Sequence, residues 1–179
     1  MSPVDVAQLL ALAVVLGAAV FTDVKDRRIP NGITLTGALF ALGLGTLEAG
    51  GFPTGAALGM AGALALGFPA FALGAFGAGD AKLLAVTGAF LGIGGLPSVL
   101  LYAGVAGGLL GLLSAVRRGV LIPVLLNTRG VFLHAATLGR RGSRQAIHDP
   151  DARTIPYGVA IAMGAVLAWF APLSLGGLA

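Results

Sequence analysis

FTDVKDRRIPNGIT, residues 21–34, is the most polar stretch in the first half of a very apolar chain. Asp23 follows directly on one apolar run. Lys25, Asp26, Arg27 and Arg28 come next, and Ile29, Pro30 and Asn31 lead into a second run. A short basic stretch between two long apolar runs reads as a connection at a membrane surface. That reading decides the fold class.

Composition agrees with it. The chain has 179 residues, of which 57% are hydrophobic and 10% charged, and its mean hydropathy is +0.97. A soluble domain carries about 25% charged residues, so there is too little polar surface here for a water-soluble globule. Cysteine is absent, which removes disulfides, thiolate catalysis and cysteine-based zinc sites together.

A spanning helix needs about 20 mostly apolar residues. Six windows qualify: 4–22, 32–47, 55–76, 83–96, 98–116 and 155–175. The expected fold is all-α, a polytopic bundle of about six transmembrane helices forming one integral-membrane domain over residues 1–179. Pro30, Pro53, Pro97 and Pro156 fall at or near the ends of these windows, where a missing N–H costs least. The breaks are 23–31, 48–54, 77–82, 95–97 and a long segment, 117–153. Asn31 is the expected N-cap of the second span. The first span lacks a basic leader region and is longer than the apolar core of a signal peptide, so it reads as an uncleaved signal anchor.

All 11 Lys and Arg lie in the first, third and fifth breaks. With six spans these breaks share one side. The positive-inside rule makes that side cytoplasmic and puts both termini outside, in a multi-pass protein of the cytoplasmic membrane. The same rule accounts for the pI near 10.4, so no nucleic-acid partner is expected. Within 117–153, the stretch GVFLHAATL (130–138) reads either as an interfacial segment or as a solvated loop. His134 and His148 read as surface residues and not as a metal pair. Gly88/Gly92, Gly104/Gly108 and Gly107/Gly111 have the four-residue spacing that lets helices approach closely, and are expected to pack within the bundle.

Between Asp23 and Asp80 the expected chain crosses the membrane twice, so both aspartates lie at the cytoplasmic boundary. Asp80 stands in GAGDAKLLAVTGAFLG (77–92), where glycines mark a turn into a span. Two carboxyls held close share one proton and titrate in coupled steps. One can then take a proton from water while the other donates to a scissile carbonyl, with no metal and no cofactor. On topology alone two readings stand: charges that only mark membrane edges, or two halves of one active site.

Three blocks resemble the type IV prepilin peptidases. DVKDRRIPN (23–31) is similar to their first aspartate motif and GAGDAKLLAVTGAFLG to the second. IPYGVAIAMG (155–164) is similar to the last-span segment of the short branch found with tight-adherence (Flp-type) pili. The resemblance runs from the first span to the last. It implies a membrane-embedded aspartic endopeptidase that removes the basic leader of a prepilin-like substrate at the cytoplasmic face, typically after a glycine. It makes Asp23 and Asp80 the catalytic pair. Gly77 and Gly79 would shape the second turn, and Lys82, Ile29, Pro30 and Asn31 would hold structural or orienting positions. Long members of the family carry a cysteine-containing region and also N-methylate the product. This chain begins at its first span and lacks cysteine, so peptidase activity without methyl transfer is the expectation.

Other polar residues take lesser roles. Asp26, Asp149 and Asp151 read as loop charges and Glu48 as an outer-face residue, while Tyr157 and Trp169 read as aromatic anchors near the ends of the last span. Tyr157 also lies on the side of the aspartates. The competing functions are a small transporter or channel, which would keep ionisable groups near the midplane, and a non-catalytic scaffold of a pilus or secretion system.

Overall fold

The computed structural model describes residues 1–72, 77–117, 119 and 157–173. The described residues form helices only: α1 (Pro3–Asp26), α2 (Asn31–Ala49), α3 (Thr54–Ala72), α4 (Ala78–Arg117) and α5 (Tyr157–Phe170). The first four are long and apolar enough to cross a membrane, and α5 is a shorter apolar helix. The chain is thus a multi-pass membrane protein. It divides into two compact units, Met1–Gly107 with Pro156–Ala179, and Gly108–Ile155. The account below concerns the first. The segment 120–153, with its interfacial stretch, both histidines, Asp149 and Asp151, lies outside the described residues.

Helix ends follow local chemistry and not the ends of the apolar runs. Ser2 and Asp5 form a reciprocal capping box at the start of α1, which satisfies two orphan N–H groups. α1 continues four residues past the apolar window and stops at Arg27, whose left-handed backbone (φ 54) lets its N–H reach Asp23 O at 3.0 Å. Asp23 is therefore part of the helix. The next cap differs from the sequence expectation: Pro30, not Asn31, is the N-cap of α2, with no side-chain cap bond. The proline ring presets φ near −65° and holds the entry, while the Asn31 amide is drawn to Lys82 instead.

α4 shows the largest difference. A straight helix of 40 residues would be about 60 Å long, roughly twice the bilayer core. The helical path breaks inside it, at Gly92 (φ 68, ψ 177), a conformation open essentially to glycine alone. Sequence put the break at 95–97, on the strength of Pro97. Pro97 instead sits just inside the second half of α4, where its missing N–H frees a single carbonyl of the new helix.

Contacts trace the path. Gly67 lies against Ala81 and Gly59 against Gly88, so the first half of α4 runs antiparallel to α3. Past the break, Leu173 N–H donates to Ser98 Oγ at 2.9 Å, Gly164 packs on Ala103, and Gly107 lies under the Tyr157 ring. The second half of α4 therefore runs antiparallel to α5, which brings the chain back toward the level of Asp80.

Alanines make up about half of the buried apolar residues, beside large ones such as Leu12, Leu83, Leu84 and Ile161, while many other large apolar side chains face outward. Ala19, Ala41, Ala63, Ala160 and Ala165 are buried, whereas Val14, Phe21, Leu39, Phe40 and Leu47 are exposed. In a bilayer this costs nothing, because lipid tails solvate leucine as well as another helix does. Ala81 and every residue from Leu83 to Phe90 are buried, so the first half of α4 is enclosed all round. Glycines make that possible. A Cβ on Gly37 would stand 2.9 Å from both Val15 Cγ1 and Val86 Cγ1, and one on Gly88 would overlap the carbonyl of Gly59. Among the sequence-derived glycine pairs, Gly88 and Gly107 do pack within the bundle, Gly92 makes the break, and Gly104 and Gly108 have nothing within 4 Å.

We expect Gly88→Val to destabilise the bundle by about 1–3 kcal/mol, the usual cost of overpacking. Gly43→Val, where a Cβ meets nothing within 4 Å, should be neutral. Thermal unfolding of the two variants in the same detergent compares them directly.

Candidate active site

The end of the bundle where α1 stops and α4 starts gathers the polar residues singled out in the sequence. Asp23 is only 7% exposed although it lies in the last turns of α1. Its Oδ2 accepts the Gly158 N–H at 3.0 Å. That donor lies in the first turn of α5, where N–H groups lack an intrahelical partner. A buried carboxyl thus meets a donor that needs an acceptor, at the helix end where negative charge is favoured.

Asp80 is half-buried in the first turn of α4. Its Oδ2 accepts the Gly77 N–H at 3.0 Å. The side chain reaches back three residues to the donor just before the helix, as in a capping box. Gly77 contributes backbone only, and this bond aims the carboxyl along the start of the helix.

Ile29 connects the two halves. The left-handed turn at Arg27 sends the chain back toward the bundle, and Ile29 is buried at 8% exposure between two exposed residues, Arg28 and Pro30. A Cβ on Gly79 would stand 3.1 Å from Ile29 Cβ, and one on Gly158 would stand 3.3 Å from Ile29 Cδ1. The same side chain therefore touches the backbone next to Asp80 and the backbone that binds Asp23. The two carboxyls are within electrostatic reach of each other. Arg27 is within reach of Asp23, and Tyr157 of Asp80.

Lys82 and Asn31 form a second tie. Lys82 Nζ donates to Asn31 Oδ1 at 2.8 Å, across 51 positions of sequence. It joins the start of α2 to the start of α4 at an exposed position. The residues of the two aspartate motifs thus have places at this end: two carboxyls, Gly77 as a backbone donor, Gly79 against Ile29, an apolar wedge, a proline cap and a polar clamp. Gly158 was not singled out. It lies within the block IPYGVAIAMG, but its contribution is a backbone N–H and an absent side chain, and the sequence does not show which acceptor that N–H meets.

A cavity of about 740 Å³ lies at the opposite end, around the Gly92 break, with Asp5, Gln8, Glu48 and Trp169 among its lining residues. Gln8 is buried there and donates to Glu48 Oε2 at 2.9 Å. Neither Asp23 nor Asp80 lines it. Among the described residues no group of three or more His, Cys, Asp or Glu is placed to hold a metal ion.

The described residues thus form an all-helical, multi-pass bundle in which one buried isoleucine lies against the glycine next to Asp80 and the glycine that binds Asp23. The profile of the type IV leader peptidase family matches residues 10–112, more than half of the chain, including both aspartates, Ile29, Pro30, Asn31, Gly77, Gly79 and Lys82. The chain belongs to the type IV leader peptidase family and is a membrane peptidase. No curated protein and no solved structure matches it.

The wedge can be tested by compensation. Gly79→Val drives a branched side chain into Ile29, and we expect peptidase activity to fall at least tenfold. Adding Ile29→Ala to the same chain should recover part of the loss by making room. The measurement is initial rate at matched amounts of folded protein.

Proposed function

We propose that this protein is an aspartic endopeptidase whose catalytic dyad is Asp23 and Asp80, and that it removes the basic leader of a prepilin-like substrate at the cytoplasmic face of the cytoplasmic membrane. The observation that carries this reading is that Ile29 lies against both Gly79, next to Asp80, and Gly158, whose N–H binds Asp23, with one oxygen of each carboxyl engaged by a backbone N–H. Family membership supports the peptide substrate. The one-sided distribution of Lys and Arg supports the cytoplasmic placement, with six passes and both termini outside. The reversal of α4 at Gly92 is consistent with that number of passes.

The chemistry needs only the two side chains and water. Two carboxyls that face each other hold one proton between them. The ionised member takes a proton from the attacking water, and the protonated member donates to the carbonyl oxygen of the scissile bond. The resulting tetrahedral intermediate collapses with proton transfer to the leaving amine. In this scheme the backbone donors Gly77 and Gly158 hold one oxygen of each carboxyl, leaving the other for water and substrate. Gly77 and Gly79 leave room beside Asp80 for an unwound stretch of substrate, since a carbonyl inside a helix is already engaged.

The site's position also constrains the substrate. The leader stays in water at the membrane surface and the apolar helix stays in the bilayer, so the bond cut is the one at their junction. A short Lys/Arg-rich leader ending in glycine, of the tight-adherence kind, meets those conditions. Leader removal requires no cofactor, and methyl transfer is not assigned to this chain.

Asp23→Asn and Asp80→Asn should each lower the cleavage rate by at least about 10³-fold, and the double variant should be no worse than either, as for groups acting as one unit. Asp26→Asn, at an exposed position, should be much milder, and a chelator should have no effect. Co-expression with a prepilin-like substrate, followed by N-terminal sequencing of the product, should locate the cut at the end of the basic leader. A transporter or scaffold would show no dependence of any cleavage on these two residues.

A further inference from the structure

We propose that Gly158 is the positioning residue for Asp23: its backbone N–H, at the head of α5 and without a side chain beside it, fixes the orientation in which the carboxyl works. The inference rests on the dyad reading above and adds a part of the chain that the family match, residues 10–112, does not include.

Three observations converge on Gly158. Its N–H donates to Asp23 Oδ2 at 3.0 Å, across 135 positions of sequence. It is buried, as is Asp23, so neither partner has water as an easy substitute, and a buried donor or acceptor left alone is costly. A Cβ at this position would stand 2.7 Å from Asp23 Oδ2 and 3.3 Å from Asp23 Cγ, inside van der Waals contact. Its φ lies outside the left-handed range that favours glycine. Glycine is needed here for space and not for conformation.

The consequence is mechanical. A carboxyl bound through one oxygen to a helix end loses rotation about its Cβ–Cγ bond. Oδ2 is committed to α5, and Oδ1 is left as the oxygen that meets water. Ile29 closes the other side, because its Cδ1 lies against the same glycine. α5 therefore takes part in the site through a backbone amide, and no side chain of α5 is needed for that role. Gly158 acts through Asp23 and is not itself a catalytic residue.

Two measurements test this separately. Tyr-Gly occurs once in the chain, at residues 157 and 158. Carbonyl-13C tyrosine with 15N glycine therefore yields a single carbonyl-to-amide cross-peak, that of Gly158, in the full-length protein in detergent. We expect its amide proton to lie downfield in the unmodified protein, to move upfield in Asp23→Ala and to stay in place in Asp80→Ala. An amide shift indifferent to Asp23→Ala would overturn the hydrogen bond and with it the proposal.

The second measurement replaces Gly158 by glycolic acid through nonsense suppression, which exchanges the N–H for an ester oxygen and leaves the shape unchanged. We expect kcat to fall at least tenfold with KM unchanged, and no further loss when the ester is combined with Asp23→Asn. Gly158→Ala should show the same split. An ester variant with full kcat, while Asp23→Asn is inactive, contradicts the positioning role and leaves the dyad standing. An active Asp23→Asn contradicts the dyad itself.

Discussion

The enclosure of the first half of α4 is the constraint on which the rest depends. A helix can be surrounded on every side only if its neighbours come close, and close approach requires small residues at the crossings. Gly59 and Gly88 bring the backbones of α3 and α4 together, and Gly37 lets α2 lie between Val15 of α1 and Val86 of α4. Many large apolar side chains, such as Val14, Phe21, Leu39 and Phe40, face outward, where lipid accommodates them. Asp80 rides at the head of this enclosed helix. Its position is therefore set by packing that extends well beyond its own turn.

The second aspartate is positioned by other means. α1 is fastened at both ends, by the Ser2–Asp5 capping box and by the left-handed residue Arg27. The strain of a non-glycine residue at positive φ, about 1–2 kcal/mol, is borne at the residue that turns the chain toward Ile29. Structure at this point serves the site: the turn places an apolar wedge between Gly79 and Gly158, and α5 supplies a donor to Asp23. Residues from α1, its following turn, α4 and α5 all converge there, although the sequence separates them by up to 135 positions.

Much of this was legible in the sequence, for identifiable reasons. The one-sided placement of Lys and Arg and the apolar windows gave the helical membrane class, and the spacing of the windows put Asp23 and Asp80 at one end. Helix limits were less legible, because apolar runs report contact with lipid whereas helices end at caps. Asp23 and Asp80 consequently lie on helices and not beyond them. Pro97 pointed to a break near 95–97, but the conformation at the break needs glycine, and Gly92 makes it. Three pairings could not be read from the sequence: the Lys82–Asn31 bond, the bond from buried Gln8 to Glu48, and the bond from the Gly158 amide to Asp23. Each joins residues far apart in the chain, and the last has a backbone donor.

The central claim is that Asp23 and Asp80 belong to one site, and the absence of cysteine allows a clean test of it. In the double variant Asp23→Cys/Asp80→Cys, a short bifunctional methanethiosulfonate reagent should link the two thiols within one chain, detected as one bridged peptide pair by mass spectrometry. Each single variant should take up one reagent molecule without forming a bridge. A double variant in which both thiols react separately and no bridge forms, while the protein remains folded in its membrane or detergent, would contradict the account.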